Sequence, residues 1–365
     1  MPLAQHQCKT IRHIAAEETT LASVNGGRMK KNKKASAGLV EFKVKQVSSS
    51  HLSSNMLPSI LSVFVASASL AFAQSDIPLS QPLQKILAGA QKGENYTYPT
   101  DLTQGIIPKA IHSHNDYWRP IPFYSALSVG AISVEADVWL QNGTLYVGHE
   151  ESALTEYRTF DSLYVQPILN VLRAQNPNSS YVSDLPTKNG VFDTSSGQTL
   201  YLFVDIKTDG EEAFPVVVEA LEPLRSAGYL TTFNGTGTTS GPVTVVGTGS
   251  TPLDLVQEQN PRDVFYDAPL ATLNSTSSNI TSDISKIAST AFSGQFGTVR
   301  NGVLNTTSQA LLESQIEVAH GKGIGVRYWD QPNWPVSNRD AIWRLLWAAG
   351  VDLINVDDLK GAANL

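Results

Sequence analysis

The sequence predicts an α/β fold in which eight parallel strands alternate with helices and close into a (β/α)8 TIM barrel. Beyond Ile107, short apolar stretches of strand length alternate with helical patterns, which is typical of a parallel sheet covered by helices. The alternation continues for about 250 residues, the usual size of such a barrel. The predicted strands are Pro108–His114, Ala131–Val138, Leu200–Ile206, Val243–Gly247, Val264–Tyr266, Ile287–Phe292, Gly325–Trp329 and Asp352–Val356.

Two helices have the clearest patterns. Asn338–Ala349 carries apolar residues at i, i+3, i+4 and i+7 and is followed by Gly350, a residue that commonly ends helices. Ser337 is the predicted N-cap of this helix. Gln309–His320 has a similar stripe and is followed by Gly321. Each helix precedes a predicted strand, as the barrel requires.

The first 73 residues differ in composition from the rest of the chain. Residues 1–55 form a basic leader rich in Lys, Ser and Gly, which we expect to be disordered. Residues 56–73 are apolar and end in Ala-Phe-Ala, the small-x-small pattern of signal-peptidase cleavage. Met56 is therefore the predicted translation start, unless residues 1–55 form an unusually long n-region. Residues 74–365 are predicted to be a single barrel domain.

A cleaved signal peptide predicts a secreted protein. Seven Asn-x-Ser/Thr sequons follow the cleavage site, so we expect N-glycosylation as well. The sequons begin at Asn95, Asn142, Asn178, Asn234, Asn274, Asn279 and Asn305. The alternatives are a mitochondrial or other organellar leader and an uncleaved membrane anchor.

Charge and cysteine content exclude several classes of function. Residues 1–73 hold nine Lys/Arg and three Asp/Glu, whereas the remainder holds 17 and 30. An acidic body argues against a nucleic-acid partner, since phosphate backbones require a basic surface. The only cysteine is Cys8, so the body contains no disulfide, zinc–thiolate site or cysteine nucleophile.

Polar side chains occupy alternate positions at the ends of three predicted strands. Because alternate residues of a strand face the same way, each pair lies on one face. The pairs are His112 with His114, Glu135 with Asp137, and Asp205 with Lys207. A fourth polar group, His149, is predicted to end the hairpin strand that begins at Leu145. The carboxyl ends of barrel strands carry active sites, so these groups predict one site.

These residue types suit phosphodiester chemistry. Glu135, Asp137 and Asp205 offer oxygen ligands for one hard divalent cation, Mg²⁺ or Ca²⁺, and Lys207 offers a charge for a phosphate oxygen. Histidines titrate near neutrality and can act as base and acid. His112 and His149 are the predicted catalytic pair. His114 either replaces His112 or supports the substrate site.

Six segments together resemble the PLC-like phosphodiesterase superfamily, which includes glycerophosphodiester phosphodiesterases and sphingomyelinase D enzymes. They read IHSHNDYW, VEADVWL, VGHE, YLFVDIKT, GVRYWD and VDLINVDD, and they span nearly all of the body. The resemblance is nearest to the fungal altered inheritance of mitochondria protein 6 family, for which HSHNDYW is the most specific mark.

The resemblance implies a TIM barrel and a residue assignment. It matches the two catalytic histidines to His112 and His149, and the Trp that shapes the substrate pocket to Trp329. The metal ligands and the adjacent lysine match Glu135, Asp137, Asp205 and Lys207. Ser113 stands where glycerophosphodiester phosphodiesterases carry an Arg, which leaves the class of ester open.

Two other readings compete with a phosphodiesterase. His-x-His on a first barrel strand also begins the metal site of amidohydrolases, but beyond His149 only His320 remains as a histidine ligand. A barrel that has lost activity and acts as a secreted binding glycoprotein is the second alternative.

The function predicted from sequence is therefore metal-dependent cleavage of a phosphodiester by His/His acid-base catalysis. The expected substrates are a glycerophosphodiester or a lysophospholipid-like molecule. Such substrates are compatible with contact between the protein and a membrane surface. Both hydrolysis and formation of a cyclic phosphate fit the residues.

Overall fold

The computed structural model describes Lys85 and residues 100–182, 187–275 and 278–364, all within the unit 75–365. The predicted leader, the signal peptide and the sequon at Asn95 lie outside these residues. The described strands are β1 (Lys109–Ser113), β2 (Ala131–Gln141), β3 (Thr144–Val147), β4 (Leu200–Ile206), β5 (Thr232–Phe233), β6 (Thr238–Thr239), β7 (Val243–Gly249), β8 (Val264–Pro269), β9 (Ile287–Ala291), β10 (Gly325–Trp329) and β11 (Leu353–Val356).

Helices connect and cover these strands. The α-helices are α1 (Tyr124–Ser128), α2 (Gln166–Gln175), α3 (Gly210–Ala220), α4 (Glu222–Ser226), α5 (Leu253–Glu258), α6 (Phe292–Phe296), α7 (Thr306–Gly321), α8 (Val336–Ala349) and α9 (Leu359–Ala362). Short 3-10 segments, including Asp116–Trp118, and one π-helical turn at Asp161–Val165 lie in the connections. Among the described helices, none is both long and apolar enough to cross a lipid bilayer.

Eight parallel strands close into a barrel, as predicted. Their order around the barrel is β1, β2, β4, β7, β8, β9, β10 and β11, after which β11 pairs with β1 again. The closing pair aligns Ile111 with Ile354, and on the other side of β1, His112 aligns with Ser133 of β2. All eight strands predicted from apolar periodicity are present, with ends that differ by a few residues.

Alternation along each strand separates the barrel lumen from the layer beneath the helices. In β4, Leu202, Val204 and Ile206 are buried against the outer helices, whereas Phe203 and Asp205 face the opposite side. Such alternation explains why polar side chains occur on strands that lie in the centre of the domain.

A hairpin on β2 brings His149 toward the barrel. The strands β2 and β3 are joined by Asn142 and Gly143, which have φ values of 51° and 77°. Asn-Gly favours this turn because both positions need a left-handed backbone. The strand β3 ends at Val147, two residues before the predicted end, so His149 lies in the segment that follows it.

The predicted N-cap of α8 is wrong. The helix begins at Val336 after Pro335, and Ser337 lies within its first turn. Proline has a fixed φ and donates no N–H, so it is well suited to the position just before a helix. The helix ends at Gly350 in the left-handed region, as the sequence predicted.

Candidate active site

The two histidines of the first strand have different environments. His112 lies on β1, is fully buried, and its Nδ1 is 2.7 Å from Ser133 Oγ. Its ring packs edge-on against Phe203 at a centroid distance of 4.7 Å. Burial, with the nearby Arg327 charge, lowers the pKa of His112 to about 3. This histidine is therefore neutral near pH 7 and enclosed by protein.

His114 lies just beyond the end of β1 and is partly open to solvent. Its side chain is 27% exposed, and its Nδ1 is 2.8 Å from Asp357 Oδ1. Its Nε2 lies 3.7 Å from Glu135 Oε2. Burial opposes the charged imidazole, but the hydrogen bond with Asp357 and the Glu135 charge raise the pKa of His114. An Asp–His pair thus faces the mouth of the barrel.

Asp357 is a residue of this site that the sequence analysis did not assign. It follows β11, which closes the barrel against β1, and is therefore far from His114 in sequence but adjacent in space. The signal was present in the string VDLINVDD, because an acidic residue after the eighth strand must lie beside the end of the first.

Three carboxylates meet at the carboxyl ends of β2 and β4. Glu135, Asp137 and Asp205 each place an oxygen within 4.8 Å of the others. Burial raises the pKa of Asp137 to about 6, and the Glu135 charge adds to this effect, while Lys207 opposes it. Carboxylates held this close repel one another unless a cation lies between or beside them.

Lys207 is a cation that contacts two of these carboxylates. Its Nζ lies 3.0 Å from Asp137 Oδ2 and 2.9 Å from Asp205 Oδ2. Burial disfavours the ammonium, but the Asp205 and Asp137 carboxylates outweigh it and raise the pKa of Lys207. The lysine therefore stays charged and is positioned near any phosphate that reaches the carboxylates.

The carboxylate cluster fits a hard divalent cation. The donor set consists of oxygens, which Mg²⁺ and Ca²⁺ prefer. Asp205 Oδ1 is buried and has no hydrogen-bond partner among the described residues. A buried carboxylate oxygen without a partner is unfavourable by itself, and a bound cation would satisfy it.

His149 adjoins Asp137, whereas His114 faces Glu135. Its Nδ1 is 3.4 Å from Asp137 Oδ2 and 3.0 Å from the Tyr117 hydroxyl, and its side chain is 43% exposed. The Trp118 ring lies 5.1 Å from the His149 ring, centroid to centroid. These contacts orient the imidazole while leaving it accessible.

Tyr117 is the second residue of the site that the sequence analysis did not assign. Its hydroxyl donates to Asp137 Oδ2 at 2.7 Å, so it links Asp137 to His149. Burial and the Asp137 charge raise the pKa of Tyr117 well above its usual range, which keeps the phenol protonated. In the sequence, Tyr117 is part of the motif HSHNDYW, which gave no separate signal for its role.

A buried aspartate holds the loop that carries Tyr117. Asp116 Oδ1 accepts from Ser113 Oγ at 2.7 Å, and its Oδ2 accepts from the Phe123 backbone N–H. Arg119 donates to Ser113 Oγ at 3.2 Å and to the His114 carbonyl at 2.7 Å. The Arg119 guanidinium therefore braces the segment from Ser113 to His114.

The aromatic residue predicted to shape the pocket lies at its rim. Trp329 ends β10 and is 42% exposed. Its neighbour Tyr328 points to the outer helices, where its hydroxyl donates to Gln315 Oε1 at 2.7 Å. Arg327 points into the lumen, with Nη2 3.6 Å from Glu135 Oε1.

Gly249 fixes the position of Asp205 from the neighbouring strand. It has a φ of +65°, and a Cβ there would overlap Asp205 Oδ1 and lie 2.7 Å from the Ile206 carbonyl oxygen. Because the strands β4 and β7 are paired at this point, neither backbone can move alone. Only glycine at position 249 leaves room for the Asp205 carboxylate in its observed position.

Replacing Gly249 with Ala is therefore expected to reduce the free energy of unfolding by about 3 kcal/mol, since it combines left-handed strain with a steric clash. Gly143→Ala is the matched control: its φ is +77°, but nothing lies within 4 Å of the added Cβ. For Gly143→Ala we expect the free energy of unfolding to fall by only about 1 kcal/mol. Urea unfolding of both variants measures the difference, and equal losses would contradict the role of Gly249.

His320 does not contribute to this site. It lies in the last turn of α7, and its Nε2 is 2.8 Å from Asp352 Oδ2. Both residues precede strands β10 and β11, at the end of the barrel opposite the carboxylates. The additional histidine ligand that an amidohydrolase needs is absent from the described part of the site.

The fold and the site define a β/α-barrel protein whose strands carry an acidic cluster of metal-ligand type beside two histidines that reach solvent. Residues 100–267 match the family model described as "AIM6-like phosphodiesterase domain". The chain belongs to the altered inheritance of mitochondria protein 6 family, as the sequence motifs predicted.

Two named relatives support this assignment. The altered inheritance of mitochondria protein 6 homolog of Arthroderma benhamiae is 51% identical over 312 residues, covering 82% of this chain and 98% of that protein. The Lachancea thermotolerans protein is 36% identical over 315 residues, covering 76% of this chain and 72% of that protein. A solved structure, phosphatidylinositol-specific phospholipase C from Listeria monocytogenes, aligns with a TM-score of 0.37 at 9% identity, covering 73% of this chain and 96% of that one.

Proposed function

We propose that this protein is a phosphoric diester hydrolase, or a cyclising lyase of the same bond, that requires one divalent cation. The observation that carries the proposal is the group Glu135, Asp137 and Asp205, whose oxygens lie within 4.8 Å of one another at the barrel mouth. Lys207 and two histidines adjoin this group. An acidic group with an adjacent cation and two accessible imidazoles suits phosphoryl transfer better than binding alone.

The cation, when bound by the three carboxylates, supplies polarisation of the phosphoryl oxygen and neutralises developing negative charge. Lys207 binds a phosphoryl oxygen through its charged Nζ. Its contacts with Asp137 and Asp205 hold it beside the carboxylates, so the lysine and the metal ligands are oriented together.

His114 is the proposed base, although sequence analysis favoured His112. Nδ1 of His114 is paired with the Asp357 carboxylate. Nε2 of His114 is turned toward Glu135 at the barrel mouth. His112 is fully enclosed, and its Nδ1 is bound to Ser133. A group that takes a proton from water or from a substrate hydroxyl must reach it, which favours the exposed histidine.

His149 is the proposed acid that protonates the leaving oxygen. Its Nδ1 faces the Tyr117 hydroxyl and the Asp137 carboxylate, so Nε2 is the nitrogen available to substrate. Tyr117 stabilises this orientation through its bond to Asp137. The two imidazoles then serve opposite sides of one scissile bond, with the carboxylate cluster between them.

The exposed rim supports a substrate with an apolar part. Trp118 and Trp329 are 58% and 42% exposed, and Trp118 lies against His149. Tryptophan at a wet boundary favours amphipathic partners. A lysophospholipid or another small glycerophosphodiester fits such a site, and secretion with N-glycosylation remains the proposal for its location.

Hydrolysis of bis(p-nitrophenyl) phosphate tests the proposed function. We expect turnover with Mg²⁺ or Ca²⁺ and loss of turnover with EDTA, restored by excess metal. Phosphorus NMR of the products from glycerophosphodiesters and lysophospholipids then separates linear from cyclic phosphates. Absence of EDTA-sensitive turnover on all these substrates would overturn the proposal and favour a binding glycoprotein.

A further inference from the structure

A second concave site lies at the end of the barrel opposite the carboxylates. Its cavity of about 600 Å³ is formed where β4, β7, β9 and β10 begin, together with the last turn of α7 and the β5–β6 hairpin. Sites for small molecules have volumes of about 300 to 1,000 Å³, so this cavity is large enough for one. Six of the side chains that line it carry a hydroxyl: Thr199, Tyr201, Thr231, Thr238, Ser240 and Thr244.

Three of the threonine hydroxyls are held in one chain of hydrogen bonds. Thr244 Oγ1 lies 3.0 Å from Thr199 Oγ1 and 2.8 Å from Thr231 Oγ1. The Thr199 hydroxyl also donates to the Gly241 carbonyl at 3.0 Å, and the Gly241 backbone N–H donates to Thr231 Oγ1 at 2.9 Å. Each hydroxyl has one donor and two acceptor lone pairs. The chain therefore fixes these side chains while using only part of their acceptor capacity.

Tyr201 lines the cavity beside this chain of hydroxyls. It aligns with Thr244 of the paired strand β7, so the two side chains lie on one face of the sheet. Its phenol hydroxyl makes no hydrogen bond with another described residue, although tyrosine hydroxyls in partly buried positions usually find a partner. Burial and the Asp352 charge raise the pKa of Tyr201, so the phenol stays protonated. Tyr201 therefore offers a ligand both a free donor and an aromatic ring.

The charged side chains around the cavity already have partners. Asp352 Oδ2 lies 2.8 Å from His320 Nε2 and accepts from the Val326 backbone N–H at 2.8 Å. Lys286 Nζ donates to the Ser282 carbonyl at 2.6 Å. Specific binding of a phosphate or sulfate ion requires cations that are free to reach it, whereas an apolar ligand would leave the hydroxyls without partners. The lining therefore favours a neutral, polar ligand.

We infer that this cavity is a second binding site and that its ligand is a neutral carbohydrate of one or two sugar units. A sugar presents neighbouring hydroxyls that donate and accept, which matches the threonine hydroxyls and the free Tyr201 hydroxyl. Its C–H faces are apolar and can pack against the Tyr201 ring. Because the cavity lies at the other end of the barrel from the carboxylates, the sugar would bind independently of the proposed catalysis.

Calorimetric titration of the whole chain with glucose, mannose, N-acetylglucosamine, maltose and cellobiose tests the inference. At least one of these sugars is expected to bind with a Kd of about 1 mM or tighter. Tyr201→Phe should weaken that binding about fivefold or more, the effect of one lost hydrogen bond. Tyr181→Phe is the matched control, because it makes the same chemical change at a side chain that is 93% exposed, and it should retain the affinity.

Thr244→Val provides a second variant, since it keeps the shape of the side chain but removes the hydroxyl that joins Thr199 to Thr231. It should also weaken binding of the same sugar about fivefold or more. Melting temperatures of the variants show that they are folded, and calorimetry requires no turnover, so the result does not depend on the proposed hydrolysis. Three results would overturn the inference: no sugar of the panel binds, binding persists unchanged in both variants, or inorganic phosphate displaces the sugar.

Discussion

Asp205→Ala is expected to lower kcat/KM for bis(p-nitrophenyl) phosphate by at least about 10²-fold, since a catalytic metal contributes several kcal/mol to the transition state. The change removes one of three clustered carboxylates and the partner that holds Lys207 at 2.9 Å. The proposed cation would lose one of its three ligands, and Lys207 would keep only its contact with Asp137. The rates of the variant and of the unaltered protein over a range of Mg²⁺ concentrations measure the effect.

Thermal unfolding separates loss of metal from loss of fold. A cation that binds only the folded protein raises its melting temperature in proportion to the logarithm of cation concentration. We expect Mg²⁺ or Ca²⁺ to raise the melting temperature of the unaltered protein but not that of Asp205→Ala. Asp254→Ala, which removes an exposed carboxylate on α5, is the matched control and should respond like the unaltered protein. EDTA-sensitive turnover that persists in Asp205→Ala would show that the metal, if there is one, is bound elsewhere.

The fold could be predicted from the sequence because its determinants are local. Each barrel strand is a short apolar stretch bounded by turn residues, so all eight were recognised and their order followed from the alternation with helices. The ends of the strands and helices were predicted less accurately. At α8 the predicted Ser337 cap was wrong, because the helix begins after Pro335, two residues earlier.

The partners of the site residues could not be predicted in the same way. His114 meets Asp357 across 243 residues of sequence, and Tyr117 meets Asp137 only because the segment Asp116–Trp118 folds back over β2. These contacts depend on barrel closure and on one buried aspartate, neither of which has a periodic signal. The carboxylate pairs were found because alternation along a strand is visible in sequence.

Alternation along a strand shows which face a side chain lies on but not how deeply it lies within the barrel. The sequence therefore could not decide between His112 and His114. Both histidines share a face, but β1 ends at Ser113. His112 is therefore still within the packed barrel, whereas His114 lies beyond the last paired residue of the strand. Only the register of β1 with β2 and β11 shows which of the two imidazoles reaches the mouth.

Substituting each of these histidines with Ala should separate their roles. His114→Ala and His149→Ala are each expected to lower kcat by about 10² to 10⁴-fold, the usual contribution of a general base or acid. Added imidazole should raise the rate of His114→Ala at least about tenfold, because the missing ring is partly open to solvent in the unaltered protein. Initial rates over a range of imidazole concentrations measure this rescue.

His112→Ala provides the contrast within the same strand. Its ring is fully enclosed and packs against Phe203, so its loss leaves a buried cavity and should reduce the free energy of unfolding by about 2 to 4 kcal/mol. Imidazole is not expected to restore its activity, since the cavity has no opening to solvent. Asp357→Asn should lower kcat with little change in KM, because Asp357 is expected to act by orienting His114 through their 2.8 Å hydrogen bond. Rescue of His112→Ala but not of His114→Ala would instead make His112 the base, as the sequence alone had favoured.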